Sequence, residues 1–262
     1  MVRFISLSSG SNGNCYYFSD DRIAFLIDIG IGARTIKKRL AEHDISLEQI
    51  DAVFVTHDHF DHIKSLGTFT ERYQKPVYLT HTLESALRHN FCTAGRLKGC
   101  VHYLEEGCET QVGEGLRITP FVVPHDATQT VGYHFELGGE RFTVMTDLGE
   151  VTDDAVRYAA LADHLIVESN YDVDMLITGS YPKELKERIL TQHGHLSNEQ
   201  TSSLLLRARH DGLRDVYLCH LSANNNTPAL AYAAAKKTLE SIGSQASLHC
   251  LPRSCASELF TF

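Results

Sequence analysis

Histidine and aspartate crowd the segment FVTHDHFDHIKSLG, residues 54–67, which has apolar residues on both sides. Its candidates for chemistry are His57, His59, Asp61 and His62. Burying so many titratable side chains is costly unless each has a hydrogen-bonding or ionic partner. The segment is therefore either a solvated turn or a set of ligands for a cation.

Three later segments end in the same kinds of side chain. The apolar runs VVPHD, VMTDLG and YLCHLS contain His125, Asp147 and His220 at their ends. Side chains carried by loops on a rigid scaffold are often those that bind and catalyse. A lone histidine is more often solvated or packed in a core, but the H-x-H-x-D-H spacing with three further strand ends favours a metal site.

The donor types predict which ions bind and what they do. Imidazole and carboxylate ligands suit zinc, manganese or iron, and the lack of thiolates argues against a structural cysteine-rich zinc site. The candidate ligands exceed the needs of one tetrahedral ion and suit two ions that share a carboxylate. Two such ions can activate a water and clamp an oxyanion, which is the chemistry of phosphate-ester or acyl-bond hydrolysis.

The elements that must position these residues follow an α/β pattern. Runs such as VRFISLSS, AVFVTH and DVYLCHL predict strands, and ARTIKKRLAEHD and NEQTSSLLLRARHD predict helices. The pattern recurs, so we expect one domain over residues 1–262 with two similar halves, roughly 1–115 and 116–262, and two sheets packed face to face with helices outside. His57 and His59 are expected to alternate at the end of the strand AVFVTH, with Asp61 and His62 in the following turn.

Composition narrows the class of protein. The 262 residues are 43% hydrophobic and 22% charged, which is typical of a globular protein with a sizeable core. A net charge of −9 argues against a basic nucleic-acid coat protein, but not against an enzyme that binds nucleic acid in a metal-lined cleft. Seven scattered cysteines without a C-x-x-C motif favour reduced thiols and a cytoplasmic location. No signal peptide or membrane span is expected, and the oligomeric state stays open.

The segment THDHFDH resembles the H-x-H-x-D-H signature of the metallo-β-lactamase-fold hydrolases, and the later histidine and aspartate motifs follow in that family's order. The resemblance implies a four-layer αβ/βα sandwich in a single domain and two divalent ions, zinc or manganese, with iron as a further option. It also implies the ligand sets: His57, His59 and His125 for one ion, Asp61, His62 and His220 for the other, and Asp147 as the bridge. Asp28 in LIDIG matches the family's early aspartate and would orient ligands.

Two residues outside the ligand set resemble a catalytic pair. IVESNYD and GHLSNEQ are similar to motifs of tRNase Z-like phosphodiesterases, which implies roles for Glu168 and His195. A histidine beside a phosphate can protonate the leaving oxygen, and a glutamate can hold its tautomer. The alternative is that His195 is a loop residue before a helix capped by Ser197 or Asn198. Asp61 is expected to be catalytic as well, by positioning the attacking water.

Two polar loops are candidates for binding phosphate. Glycines in SSGSNGNC allow backbone N–H groups to approach an anion, and SANNN offers further donors. The candidate side chains are Ser9, Ser11, Asn12, Asn14, Ser222 and Asn224. The alternatives are a hairpin loop for the first segment, because Asn-Gly is a strong hairpin signal, and a helix-capping loop for the second. Together the loops are expected to bind a terminal phosphate, which would favour chain ends over internal bonds.

Basic and aromatic residues near these motifs have two interpretations. Lys183 and Arg188 are interpreted as solvated helix faces, because glutamates interleave with them, although contacts with phosphates are the alternative. Tyr181 is expected to pack in the structure, with stacking on a base as the alternative.

Further motifs favour one branch of the family. SSGSNGNCYYF, GHLSN and HLSANNNTP are similar to motifs of a compact bacterial group of nucleases. This resemblance implies a dinuclear-metal phosphodiesterase, specifically a 5′-to-3′ exonuclease on single-stranded or frayed DNA. The alternatives are a small-molecule hydrolase, acting on a cyclic phosphodiester or a thioester, and an RNA-processing nuclease.

Overall fold

The computed structural model describes residues 1–262, and its strands form two seven-stranded sheets. The strands of the first sheet are β1 (Arg3–Ser8), β2 (Cys15–Ser19), β3 (Ala24–Ile27), β4 (Ala52–Phe54), β5 (Val77–Leu79), β6 (Val101–Tyr103) and the last strand of the chain, β14 (Phe260–Thr261). Their spatial order is β14-β1-β2-β3-β4-β5-β6. Neighbours from β14 to β3 are antiparallel, and neighbours from β3 to β6 are parallel.

The second sheet repeats this mixture of pairings. Its strands are β7 (Thr110–Val112), β8 (Leu116–Val123), β9 (Thr130–Leu137), β10 (Glu140–Met145), β11 (His164–Glu168), β12 (Asp215–Cys219) and β13 (Ser247–Cys250). They lie in sequence order across the sheet, antiparallel from β7 to β10 and parallel from β10 to β13. The division of the chain into halves at about residue 115 stays a prediction. The sheets do not follow that division strictly, because β7, before residue 115, pairs in the second sheet and β14, at the end of the chain, pairs in the first.

Nine α-helices and one short 3₁₀ helix (Leu47–Gln49) connect the strands. The α-helices are α1 (Ala33–Ala41), α2 (Phe60–Ile63), α3 (Leu66–Tyr73), α4 (His81–Leu87), α5 (Asp153–Ala159), α6 (Val173–Thr178), α7 (Lys183–Ile189), α8 (Asn198–Arg207) and α9 (Pro228–Ser241). No helix has both the length and the apolar character that crossing a lipid bilayer requires.

Alternation along the strands places the sheets face to face. In β3, Phe25 and Ile27 belong to a core shared by both sheets, whereas Leu26 between them belongs to a core with α1, α3 and α4. The Phe25 and Phe135 rings, one from each sheet, have centroids 5.4 Å apart. A third core packs α5, α8 and α9 against the other face of the second sheet. Strands with two apolar faces therefore require helices outside both sheets, and the predicted four-layer sandwich is confirmed.

The site lies where strands of both sheets end. Glu168 is the last residue of β11, His220 directly follows β12, and His125 and Asp147 lie two residues beyond β8 and β10. These four strands run in one direction, so their carboxyl ends meet at one edge of the sheet. Loops at this edge can place side chains together from widely separated parts of the chain.

The predicted strand AVFVTH is too long. Strand β4 ends at Phe54, so His57 and His59 do not alternate on a strand, and Asp61 lies in α2 rather than in a turn. Helix α2 starts where the N–H groups of His62 and Ile63 donate to the His59 carbonyl, at 2.9 and 3.2 Å. One helical turn has too few residues for a periodic pattern, so the sequence contained no signal for it.

Candidate metal centre and active site

Four histidines of the site share one hydrogen-bonding arrangement. His57 Nδ1 donates to Thr56 Oγ1 at 3.0 Å, and His62 Nδ1 donates to Asp28 Oδ2 at 2.7 Å. His125 Nδ1 donates to the Gly194 carbonyl at 2.8 Å, and His220 Nδ1 to Glu168 Oε1 at 3.0 Å. Metal-binding histidines commonly donate one ring N–H to a carboxylate or carbonyl in this way, which orients the other nitrogen.

Histidine nitrogens and carboxylate oxygens of the site form four overlapping groups of potential ligand atoms, two of which are the predicted trios. One group is His57, His59 and His125, and another is Asp61, His62 and His220, each with its ligand atoms within 4.8 Å of one another. In the second group, Asp61 Oδ2 lies 3.6 Å from the Nε2 atoms of both His62 and His220. The structure thus brings together the two predicted trios from three separate segments of the chain, which follow β4, β8 and β12.

Asp147 lies between the two trios. Its Oδ2 is 3.2 Å from His62 Nε2, and its Oδ1 is 3.8 Å from His125 Nε2 and 3.1 Å from His220 Nδ1. The residue is only 2% exposed. This position, buried and near histidines of both trios, is consistent with the prediction that Asp147 is a shared ligand.

The chemistry of the buried donors suits cations. Four buried atoms of this cluster have no hydrogen-bond partner: His57 Nε2, His125 Nε2, His220 Nε2 and Asp147 Oδ2. Buried polar atoms in proteins are nearly always paired, so four orphans in one cluster require an explanation. Divalent ions would bind all four, which fits the nitrogen and oxygen donors present.

The pKa shifts in the cluster also indicate that the site favours bound positive charge. Burial, together with nearby His62, lowers the pKa of His57 well below its usual value, so its neutral, ligating form is favoured. Burial also acts to lower the pKa of His220, but Asp147 and Asp61 outweigh it and raise that pKa to about 10. Burial would raise the pKa of Asp147, yet His220 and His62 hold it well below its usual value. The carboxylates at this site therefore stay ionised and attract cations.

Asp28 braces the loop that carries the signature. Its carboxylate accepts hydrogen bonds from the Thr56 N–H at 2.9 Å and the Thr56 hydroxyl at 2.8 Å, in addition to that from His62. The backbone of Asp28 is left-handed, with φ 62°, and so is that of His220, with φ 50°. Non-glycine residues held in this conformation are uncommon and concentrate at functional sites.

Glu168 and His195 form a hydrogen-bonded pair beside Asp147. His195 Nδ1 donates to Glu168 Oε1 at 2.7 Å and lies 3.7 Å from Asp147 Oδ1. Glu168 is fully buried, and its Oε2 accepts the N–H groups of Leu148 and Leu196, each at 3.1 Å. Burial acts to lower the pKa of His195, but the Glu168 and Asp147 carboxylates outweigh it and raise that pKa.

The alternative interpretation of His195 describes its local structure correctly. Ser197 Oγ caps α8 by accepting the Gln200 N–H at 3.2 Å, so His195 does lie in a loop before a capped helix. This cap and the contact with Glu168 together hold the ring at the site. His195 can therefore precede a capped helix and still occupy a catalytic position.

A cavity of about 270 Å³ opens over this cluster. It is lined by His59, Asp61, Asp147, His195 and His220, and also by residues for which the sequence analysis predicted no catalytic role: Asp126, Asn170, Tyr181 and Arg188. Arg188 forms an ion pair with Asp126 at the cavity wall, whereas Lys183 pairs with Glu187 on the exposed face of α7. The prediction of a solvated helix face is therefore right for Lys183. It is wrong for Arg188, because the alternating charges of the helix do not show that this side chain faces the cavity.

The candidate phosphate-binding residues divide into buried and exposed sets. Ser9 and Asn14 are fully buried: Ser9 Oγ accepts the His220 N–H at 2.8 Å, and Asn14 Nδ2 donates to Asp61 Oδ2 at 3.3 Å. Both therefore position predicted ligands, which corrects the expectation that they face a phosphate. Ser222 is also buried, with its hydroxyl accepting the Asn225 N–H at 3.2 Å, but it lines the cavity over the cluster.

The exposed set lines a second cavity of about 330 Å³ that shares Ser11 and Tyr181 with the first. Asn12, Asn224 and Arg253 also line it, and no acidic residue does. Arg253 Nη1 donates to the Ser222 carbonyl at 2.6 Å, and Asn224 Nδ2 donates to the Tyr181 hydroxyl at 3.0 Å. No pattern in the sequence indicates Arg253, because it lies in a C-terminal segment without a motif.

Comparisons with known proteins give consistent results. The model of the β-lactamase superfamily domain matches residues 24–221. The exodeoxyribonuclease WalJ of Streptococcus pneumoniae is 33% identical over 88% of this chain and 85% of its own length. The exodeoxyribonuclease YycJ of Bacillus anthracis is 30% identical over 92% of this chain and 90% of its own. Among solved structures, Zn²⁺-bound PqqB from Methylobacterium extorquens has a TM-score of 0.72 at 19% identity, over 98% of this chain and 100% of its own, and shares the fold.

Proposed function

Because the chain belongs to the β-lactamase superfamily and, within it, to the group that includes the WalJ and YycJ exodeoxyribonucleases, we propose that it is a dinuclear-metal phosphodiesterase that degrades DNA. The proposed substrate is single-stranded or frayed DNA, digested from a 5′ end. The observation that carries the proposal is the cluster of four unpartnered, buried ligand atoms, two of which belong to Asp147 and His220 in the lining of an open cavity. A cytoplasmic location remains part of the proposal.

The ligand assignment keeps the predicted sets. One ion would be held by His57, His59 and His125, the other by Asp61, His62 and His220, with Asp147 shared; this is supported by the proximity of their ligand atoms. Bound ions would supply Lewis-acid stabilisation of the negative charge that develops on a phosphate. Nitrogen and oxygen donors admit zinc, manganese or iron.

The remaining steps belong to side chains of this chain. Asp61 is partly exposed in the cavity, where its carboxylate can orient the attacking water and accept its proton. His195 lines the same cavity with Nδ1 engaged by Glu168, so its Nε2 is the atom that can donate a proton to the leaving oxygen. Glu168 holds the ring and stabilises its protonated form.

Replacing Glu168 by glutamine is expected to lower kcat by about 10- to 100-fold, the usual effect of losing a group that orients a catalytic one. The carboxylate raises the pKa of His195. His195 must be protonated to act as an acid, so activity is lost as the pH rises through this pKa. In E168Q the pKa falls, and the alkaline limb of the kcat–pH profile should move to lower pH. An unchanged alkaline limb would contradict the role assigned to the pair.

The second cavity supports a preference for chain ends. Its donors, which include the Arg253 guanidinium, form an acid-free recess that adjoins the cavity over the metal ligands. Arginine binds phosphate through several N–H groups at once. We therefore assign the terminal 5′ phosphate to this recess, with Ser11, Asn12 and Asn224 as further donors and Ser222 at the boundary of the two cavities.

The variant Arg253→Gln is expected to reduce the preference for a 5′-phosphorylated over a 5′-hydroxyl oligonucleotide by about tenfold. A hydrogen bond to a charged group contributes about 1.5–3 kcal/mol, and 1.4 kcal/mol corresponds to a factor of ten. The measurement is kcat/KM on both oligonucleotides. Arg209→Gln is the matched control, because Arg209 donates only to the Leu206 carbonyl and lines neither cavity. An equal loss on both substrates would mean that Arg253 only supports the Ser222 loop.

The function itself is tested with purified protein supplied with Zn²⁺ or Mn²⁺. Substrates are a 5′-phosphorylated DNA oligonucleotide labelled at its 3′ end, an RNA of the same sequence, a cyclic phosphodiester and a thioester. The proposal predicts a ladder of shortened, 3′-labelled DNA products. Faster turnover of RNA, of the cyclic diester or of the thioester would show that hydrolysis of that substrate, rather than degradation of DNA, is the function.

A further inference from the structure

Two exposed aromatic rings lie beside the metal-binding loop. Phe60 is 48% exposed and Phe91 is 75% exposed, and their rings stack with centroids 5.7 Å apart and planes 20° from parallel. Phe60 stands between His59 and Asp61, which both line the active-site cavity. Large rings are costly to leave in water, and an exposed apolar pair beside a site often marks a binding surface.

The two rings are held in place by contacts between the segments that carry them, α2 for Phe60 and the loop after α4 for Phe91. Asn90 Nδ2 donates to the Asp58 carbonyl at 3.4 Å, and Asn90 Oδ1 accepts the Cys92 N–H at 2.9 Å, which ties the Phe91 loop to the Phe60 loop. The Phe91 loop also packs tightly on α3, where a Cβ atom at Gly67 would collide with the Cys92 carbonyl. The pair is therefore preorganised and loses little conformational freedom on binding.

A cation accompanies the pair. Lys64, one turn after Phe60, holds its ammonium 5.4 Å from the Phe60 ring centroid. An aromatic face next to a lysine is the combination with which proteins bind unpaired nucleic acid, because the ring stacks on a base and the cation attracts the backbone. In a chain of net charge −9, such a local cation is well placed to attract a phosphate.

We propose that Phe60 and Phe91 form a stacking platform for an unpaired nucleobase of the DNA strand whose backbone occupies the metal site. The inference rests on the proposed nuclease function and adds how the strand is held. The exposed face of Phe91 receives the base, and Lys64 contacts the adjacent phosphate. Stacking accepts every base, so the platform contributes affinity without sequence preference.

The test uses Phe91→Ala, because Phe91 lies outside the metal-binding loop and is largely exposed, so its loss leaves the fold and the ligands intact. KM for a single-stranded oligonucleotide should rise about tenfold or more, with kcat unchanged, since stacking on one base is worth about this much. Phe91→Tyr should retain the wild-type KM. Leu206→Ala removes another exposed apolar side chain, 45% exposed against 75% for Phe91, from α8 and is the control.

A series of oligonucleotides with one abasic position each locates the stacked base. The wild-type KM should rise at one or two abasic positions only, and Phe91→Ala should show no further loss there. If the wild type degrades DNA but Phe91→Ala matches it on every oligonucleotide, the platform is wrong while the nuclease function stands. If the wild type leaves DNA intact, the proposed function fails first. A change in sedimentation of Phe91→Ala with an unchanged KM would instead make the pair a contact between two copies of the chain and overturn the platform.

Discussion

Replacing Asp147 by asparagine is expected to lower kcat by about 10³-fold or more and to reduce the bound metal. Asp147 is buried between the two ligand trios, with His62 and His220 within 3.2 Å. The neutral amide removes the one negative charge that both ions would share. Metal ions contribute several kcal/mol to stabilising charge in a hydrolytic transition state, at about 1.4 kcal/mol for each factor of ten.

The measurement is metal content by mass spectrometry together with kcat on the DNA oligonucleotide. Asp153→Asn is the matched control, because Asp153 is exposed at the start of α5 and pairs only with Arg207. Thermal unfolding of both variants without added metal separates a loss of ligation from a loss of folding. A D147N protein that retains two ions per chain and wild-type kcat would remove Asp147 from the metal centre.

The second large effect is expected for His195→Gln, which should lower kcat by about 10²- to 10⁴-fold while metal content stays unchanged. This is the usual contribution of a positioned general acid. His195 contacts Glu168 at 2.7 Å and lines the active-site cavity; it is grouped with Asp147, Glu168 and His220 but belongs to neither predicted ligand trio. The loss is therefore one of proton transfer rather than of metal binding.

The leaving group provides the decisive comparison for His195. A p-nitrophenyl phosphodiester expels a weakly basic oxygen that needs no proton, so His195→Gln should retain most of its activity on this substrate. On DNA, whose leaving oxygen is strongly basic, His195→Gln should show the full loss of about 10²- to 10⁴-fold in kcat. An equal loss on both substrates, or a loss of metal, would show that His195 acts by supporting the ligands.

Much of the candidate site was predictable because its chemistry is local. The four donors of THDHFDH lie within six residues, and the other predicted ligands each follow an apolar strand. The carboxyl ends of similarly directed strands meet at one edge of a sheet, so polar residues at strand ends are brought together by the architecture alone. Helix α2 was not predicted, because a single helical turn is determined by its contacts rather than by a periodic pattern.

The phosphate-binding residues show where local reasoning stops. Ser9 and Asn14 share a loop and a donor chemistry with Ser11 and Asn12, yet the first two are buried and the last two are exposed. The difference arises from partners distant in the chain, because Ser9 accepts the N–H of His220, 211 residues later. No spacing within SSGSNGNC contains that information.

Taken alone, the sequence determined the types of candidate ligand, their order along the chain and the four-layer class of fold, because these depend on residue chemistry and on short-range periodicity. Only the tertiary structure decided which polar side chains support the ligands and which face the cavities. It also decided that Arg253 lines the recess beside the site and that Phe60 and Phe91 stack on each other. The burial and contacts of a side chain depend on which remote segments pack against it, and that packing is a property of the whole fold.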